Sequence, residues 1–295
     1  MKFYTNVQMI GNQFLVRGVE NGKRYEFRDE FYPTLYVKSK RETKYKTLSG
    51  ESVEPIQPGN IRDCRDFYKK YEDVDGFAIY GNDRYIYQYI SEKHPEEEVK
   101  FDINQIKLVT IDIEVSSEQG FPDVESASEE ILAITIQDYN TKEIKTWGVK
   151  PFHNTQKNVT YYHCPTEQEL LSHFINYWMV DVPDVITGWN CELYDIPYIC
   201  KRLNRVLGEK LMKRMSPWGL VTESKKFIKG REHSVFDVGG CSVLDYLDLY
   251  KKFTYKAQES YRLDYIAEVE LGQKKLDHSE FDTFKDFYTH GWQKF

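Results

Sequence analysis

A chain of 295 residues with a net charge of −7 and 15% aromatic side chains is long enough for two domains and rich enough in Tyr and Phe for a substantial core. No apolar run approaches the roughly 18–20 residues of a membrane span, and Met1 to Asn6 form no hydrophobic signal region, so no membrane partner is expected. The five cysteines are scattered with no Cys-x-x-Cys pair, which argues against a zinc site or a disulfide framework and for a reducing, cytoplasmic setting.

Residues 1–38 predict a β-meander broken at Gly11-Asn12 and at Asn21-Gly22. The second break is a type I′ hairpin signal, because both central positions need φ > 0. Phe31 to Val37 continues as a strand with Pro33 at its start or edge. Residues 39–60 are polar and hold Pro55, Pro58 and Gly59, so they read as an extended connection. Ile61, Cys64, Phe67, Tyr68 and Tyr71 have helical spacing, and a strand is expected near Phe77 to Tyr80. Ser91 to Val99 reads as a charged linker or short helix, and its His94 and Glu96 to Glu98 cluster as solvated rather than metal-binding. The domain boundary is expected at about 100–106, giving domains 1–105 and 106–295.

Lys107 to Val115 reads as a strand in which Val109, Ile111, Ile113 and Val115 alternate with Leu108, Thr110, Asp112 and Glu114. The carboxylates of Asp112 and Glu114 then share one face, with Cα atoms roughly 6–7 Å apart. A β-branched strand is a poor place for two anions unless something positive holds them, and a divalent metal on oxygen ligands is the simplest candidate. An edge strand with a wet face is the plainer alternative. Ser116 to Ser128 is a loop whose Phe121 is either a core plug or a platform for a nucleic-acid base. Ile131–Tyr139 and Ile144–Val149 predict a strand pair joined by Asn140 to Lys142. Thr166 and Glu169 make a capping box before a helix with Leu170, Leu171, Phe174, Ile175 and Trp178 on its core face. Asp184 to Trp189 is a short strand, and a second helix opens at Tyr194-Asp195 and stops at Gly208. An N-cap is the ordinary role for Asp195 there.

Residues 201–231 hold ten basic side chains opposed only by Glu209 and Glu223, which suits a polyanion or, more plainly, a solvated face. Within this stretch Phe227 to Val238 predicts a β-hairpin with Lys229 and Arg231 at its tip. Ser242 to Tyr250 is an apolar-rich element carrying Asp245 and Asp248, and 257–271 is expected to be helical.

The apolar strand ending Asp112-Ile-Glu114 resembles the first exonuclease motif of the family B DNA polymerases. Trp189-Asn190-Cys-Glu-Leu-Tyr194-Asp195-Ile-Pro-Tyr198 resembles the second, about 80 residues on. Ser242 to Phe253 and Tyr261 to Ile266 are also similar to that family, in the branch of the T-even-type phage replicative polymerases. The resemblance implies an α/β fold: a ribonuclease H-like exonuclease domain, a mixed sheet with flanking helices, preceded by a β-rich α+β N-terminal domain. It implies a proofreading 3′→5′ exonuclease that hydrolyses the 3′-terminal phosphodiester with two Mg²⁺ or Mn²⁺ ions. Asp112, Glu114 and Asp195 match three of the family's four carboxylates. By the same resemblance Phe121 contacts splayed bases, Asn190 orients the site or the substrate end, and Lys229 and Arg231 belong to the basic hairpin. The implied partners are single-stranded DNA or a primer 3′ end, the remaining polymerase segment, and RNA through the N-terminal domain; the implied setting is the host cytoplasm.

The family's third motif, Tyr-x-x-x-Asp, is expected after the 257–271 segment and is not found before Phe295. Tyr71 to Asp75 falls in the wrong domain, and His278 to Asp282 is read as coincidence. The chain is therefore expected to be a fragment, with an incomplete metal site and weak or no nuclease activity. The alternative is a non-catalytic single-strand-binding subunit of a split polymerase. A weaker third reading is a free-standing nuclease that recruits Asp245 or Asp248 as a ligand.

Overall fold

The computed structural model describes residues 1–95, 98–118, 120–228 and 230–295, so Glu96, Glu97 and the hairpin-tip Lys229 lie outside the described residues. The chain divides into two compact units, Met1–Gln105 and Ile106–Phe295.

In the first unit, β1 (Lys2–Ile10), β2 (Gln13–Glu20) and β3 (Lys23–Glu30) form an antiparallel sheet in that order. Asn21 and Gly22 take φ values of 52° and 78°, the backbone that a type I′ turn demands. A second sheet contains β4 (Leu35–Lys38), β5 (Tyr45–Lys46), β6 (Ser52–Ile56) and β7 (Ile79–Tyr80), in the order β5-β6-β4-β7. Two expectations are corrected here. The strand begins at Leu35 rather than Phe31, with Pro33 outside it, and the supposed connection 39–60 contains two strands.

Helix α1 (Ile61–Tyr71) starts on a capping box in which Asn60 accepts from Asp63 N and Asp63 accepts from Asn60 N. Helix α2 (Tyr85–Lys93) runs into the segment from Ser91 that reads as a charged linker or short helix, and begins six residues before it. Its Tyr89 ring stacks on Phe14 at 4.5 Å, and Phe31 meets both rings edge-on. His94, expected to be solvated, is buried with its ring 5.2 Å from that of Tyr4.

The second unit is built on a six-stranded mixed sheet. Its strands are β8 (Leu108–Val115), β9 (Ile131–Asp138), β10 (Ile144–Gly148), β11 (Val159–His163), β12 (Val185–Gly188) and, after a separate hairpin of β13 (Val221–Ile228) and β14 (Arg231–Val238), β15 (Ser242–Asp245). The order is β11-β10-β9-β8-β12-β15. The β8–β9 and β9–β10 pairs are antiparallel, and the other three are parallel. Along β8, Val109, Ile111, Ile113 and Val115 are buried while Thr110 and Asp112 face solvent, the alternation the sequence predicts.

Helix α3 (Glu167–Val180) buries Leu170, Leu171, Phe174, Ile175 and Trp178, as its apolar spacing requires. The Thr166 hydroxyl accepts from Glu169 N, which is the Thr half of the predicted box. Helix α4 (Asp195–Leu207) buries Ile196, Ile199 and Leu203 and ends at Gly208, with α5 (Glu209–Met212) following directly. The C-terminal helices are α6 (Tyr246–Phe253), α7 (Leu263–Leu271) and α8 (Phe284–His290). Helix α7 is shorter than the predicted 257–271, because Ser260 Oγ accepts from Arg262 N and the Tyr261 carbonyl accepts from Trp189 Nε1, holding that stretch out of helical form. All five cysteines are free and buried, and among the described residues no helix is long and apolar enough to cross a membrane.

Among the described bases of the stretch 201–231 only Arg202 is buried, and several of the others are engaged by partners within the fold. Arg202 forms a buried bidentate pair with Glu167 and donates to the carbonyls of Ala127 and Ser128. Arg205 donates to the carbonyls of Ala127 and Ser126. Lys201 and Lys225 pair with Glu125, Lys226 with Glu192, and Lys213 with Glu209. Glu167 Oε1 also accepts from Ile131 N, so one buried ion pair joins α3, α4, the end of the Phe121 loop and β9.

Removing one partner of such a pair strands a buried charge. Arg202→Met should lower the stability of this unit by about 3–5 kcal/mol, measured as a shift in the urea midpoint. A loss below about 1 kcal/mol would mean that the pair contributes no more than an exposed one.

Candidate active site

The site forms where a sheet runs out of partner strand. The parallel ladder between β12 and β8 pairs Val185 with Leu108, Ile186 with Val109 and Thr187 with Thr110, then stops. At the departure point a Cβ on Gly188 would stand 2.6 Å from the Ile111 carbonyl oxygen, so no larger residue fits. The chain turns through Asn190, which takes φ = 66°, a left-handed conformation that Asn tolerates better than most residues.

Beyond the break, the Ile113 N–H has no strand to bond. Asp195 supplies the acceptor instead: its Oδ1 lies 3.0 Å from Ile113 N, between the two strand residues that carry the other carboxylates. Asp195 occupies the first turn of α4 and is 4% exposed. It is not the N-cap; that position belongs to Tyr194, which makes no side-chain cap bond.

The three acids share an electrostatic problem. Burial raises the Asp195 carboxyl well above the usual carboxylate range, and the Asp112 charge raises it further against the opposing pull of the Ile113 N–H. Glu114 is pushed up to about 7, first by burial and then by Asp112, with Lys275 opposing. Asp112 is solvent-exposed, yet protein packed around it withdraws enough water to raise its carboxyl too, again against Lys275. Lys275 lies after α7 in a Lys274-Lys275 pair that no motif marks, so sequence reading missed it.

Asp245 does not join the three as a free ligand. Its carboxylate accepts from the backbone N–H groups of Asn190, Glu192 and Leu247. Asp248 is exposed, with its carboxylate 4.0 Å from Lys226 Nζ. Among the described residues no three His, Cys, Asp or Glu side chains form a group that would hold a metal ion as they stand. The donor chemistry nevertheless suits a hard divalent cation. The three carboxylates on and beside β8 offer oxygen ligands only, and each is held above its ordinary pKa chiefly by burial, which a bound cation would offset.

Phe121 is 88% exposed, which rules out the core plug. Its ring lies 5.8 Å from that of Tyr194, the residue before Asp195, so the loop aromatic stands beside the carboxylates. The loop is tied down four residues later. Glu125 accepts from Ser234 N and Oγ and from Lys225 and Lys201, which fixes it to the β13–β14 hairpin. Arg231 opens β14 and is exposed, with no contact to the carboxylates among the described residues. The Asn190 backbone shapes the turn: its carbonyl accepts from Leu193 N and Tyr194 N.

A family model for the DNA polymerase family B exonuclease domain matches residues 83–266. The DNA-directed DNA polymerase of Escherichia phage RB69 is 32% identical over 93% of this chain and 33% of its own length. That of Enterobacteria phage T4 has the same identity and the same coverage of both chains. The DNA polymerase catalytic subunit of human herpesvirus 6B is 27% identical over 56% of this chain and 17% of its own length. The chain thus spans about a third of the length of the two phage relatives.

The raised Glu114 carboxyl has a consequence for stability. Its ordinary value is 4.5, so between there and about 7 the unfolded chain has released a proton that the folded protein retains. Folded stability falls as pH rises through that window, and the penalty is complete above it. In chelator, Glu114→Gln should be more stable than the parent at pH 8 by about 3 kcal/mol, with the advantage vanishing near pH 4. Denaturation midpoints at both pH values measure this; an advantage independent of pH would contradict the shift.

Proposed function

The chain belongs to the exonuclease domain of the family B DNA polymerases, and on that premise we propose that Asp112, Glu114 and Asp195 form its 3′→5′ proofreading centre. The substrate is the 3′-terminal phosphodiester of single-stranded DNA or of a frayed primer end. The observation that carries this reading is the bond from Ile113 N to Asp195, which puts a third acid beside a strand already presenting two.

Asp112, Glu114 and Asp195 would hold two Mg²⁺ or Mn²⁺ ions. Such ions supply charge for the attacking and leaving oxygens and lower the pKa of bound water. The rest is the work of the chain. The three carboxylates must be ionised to serve, and their raised pKa values make that depend on positive charge nearby. Asp195 keeps one oxygen on the Ile113 N–H and has a second to offer. Lys275 adds a fixed positive charge beside Asp112 and Glu114, suited to a phosphate. The exposed Phe121 ring offers a face for a terminal base, a contact worth about 1–3 kcal/mol. Asn190 orients the turn and the substrate end, and Arg231 with Lys229 contacts the DNA backbone.

In this reading residues 1–105 are a separate β-rich domain and residues 106–295 the nuclease domain. The remaining polymerase segments are the partner, on the same polypeptide or another. With three carboxylates converging in this chain, trimming by the chain alone is expected to be slow.

A 5′-labelled single-stranded oligonucleotide incubated with excess protein in Mn²⁺ tests the reading. Slow stepwise shortening from the 3′ end is expected, with a loss of at least about 100-fold in Asp112→Ala. Shortening that persists in Asp112→Ala, or internal cuts, would overturn it. Binding without any shortening, even when the downstream polymerase segment is supplied, would favour a single-strand-binding subunit.

A further inference from the structure

We infer that Asp245 is a positioning residue that sets the Asp195 carboxylate in place through the turn between β12 and α4. The inference rests on the reading that Asp195 belongs to the nuclease centre. Asp245 closes β15, where parallel pairing sets it opposite Gly188, the last residue of β12. It is 7% exposed. An ordinary N-cap serves the free amides of its own helix. Asp245 does that for α6 through Leu247 N at 2.9 Å, but it does more. Its two oxygens also accept from Asn190 N and Glu192 N, both at 3.0 Å, in a turn more than fifty residues earlier.

That turn has few other supports. Asn190 sits in the left-handed region at φ = 66°, and α4 begins on Tyr194 without a side-chain cap. From outside the turn, Lys226 of the hairpin also reaches the Glu192 side chain, but the turn's remaining backbone bonds run inward. The Asn190 carbonyl receives Leu193 N and Tyr194 N, and the Cys191 carbonyl receives Ile196 N. The Asp245 carboxylate is therefore an external clamp on the backbone of a five-residue lead into Asp195. Asp195 in turn must arrive with Oδ1 at 3.0 Å from Ile113 N. Loosening the clamp frees α4 to start elsewhere, and Ile113 loses its acceptor. Side chains that orient ligands in this way are worth about 10–100-fold in metal affinity without touching the metal.

The test uses the whole chain. Its first readout is exchange of the Ile113 amide in metal-free protein, which would not change if Asp245 acted only as a metal ligand. Its second is Mn²⁺ affinity by electron paramagnetic resonance. Asp245→Ala removes all three bonds, whereas Asp245→Asn keeps one acceptor oxygen and serves if the alanine variant does not fold. Thr166→Ala, which removes the α3 cap in the same unit, controls for loss of a cap as such. Ile113 exchange is expected to rise about tenfold in Asp245→Ala, less in Asp245→Asn, and not in Thr166→Ala, with Mn²⁺ affinity falling about tenfold in step. Unchanged Ile113 exchange in a folded Asp245→Ala or Asp245→Asn protein, or equal acceleration by Thr166→Ala, overturns the inference. Asp195→Ala separates the two readings. If it leaves Mn²⁺ binding intact, the proposed centre fails, while Ile113 exchange still decides the role of Asp245.

Discussion

The second unit depends on one hydrogen bond, from the backbone of Ile113 to the side chain of Asp195. A strand in the middle of a sheet must satisfy its N–H groups on both sides. Strand β12 does this for β8 only as far as Thr110. From there β12 must leave to feed α4, and an acid at the head of that helix takes over its task. The same carboxylate completes the sheet and stands with the two acids that the strand itself presents. Structure and candidate chemistry therefore share a group, and substitution of Asp195 disturbs both.

Around this bond the molecule keeps its charges in two separate settings. In the scaffold, acids and bases meet directly: Arg202 with Glu167, Lys201 and Lys225 with Glu125, Lys226 with Glu192. At the candidate site the acids have each other and Lys275. The first arrangement neutralises charge within the protein, while the second leaves a surplus that favours a cation from outside. The net charge of the stretch 201–231 hides this division, because four of its bases answer to carboxylates elsewhere in the fold.

Period carried most of what the sequence revealed. The alternation in β8, the apolar stripe of α3 and the Asn21-Gly22 turn are local patterns that tertiary contacts reinforce. The pairing of Asp112 with Glu114 follows from that alternation, and the motif around Asp195 stood out through the family resemblance. Other features are not local. Helix α2 reads Tyr-Ile-Tyr-Gln-Tyr-Ile, a two-residue rhythm that suits a strand, and tertiary contacts such as the stack of Tyr89 on Phe14 and the bonds of Gln88 to Thr34 favour the helix. Strands β5 and β11 are short edge strands with little pattern of their own. Lys275 and Asp245 act across long sequence separations, through field and through backbone amides, and residue type alone signals neither. Asp195 shows the converse: its place before a helix suggested a cap, and a distant strand took its side chain.

The tie between the Phe121 loop and the hairpin gives the molecule two acid thresholds. Burial alone would raise the Glu125 carboxyl, but its bonds to Lys225, Ser234 and Lys201 prevail and hold it down to about 2. Glu114 takes up its proton near 7. Mild acid therefore protonates Glu114 several pH units before it can unfasten the loop that presents the aromatic ring. Over that interval the chain retains its shaped surface while the charge that would gather cations is already fading. A loss of metal dependence in weak acid would then report on chemistry alone, with the architecture still in place.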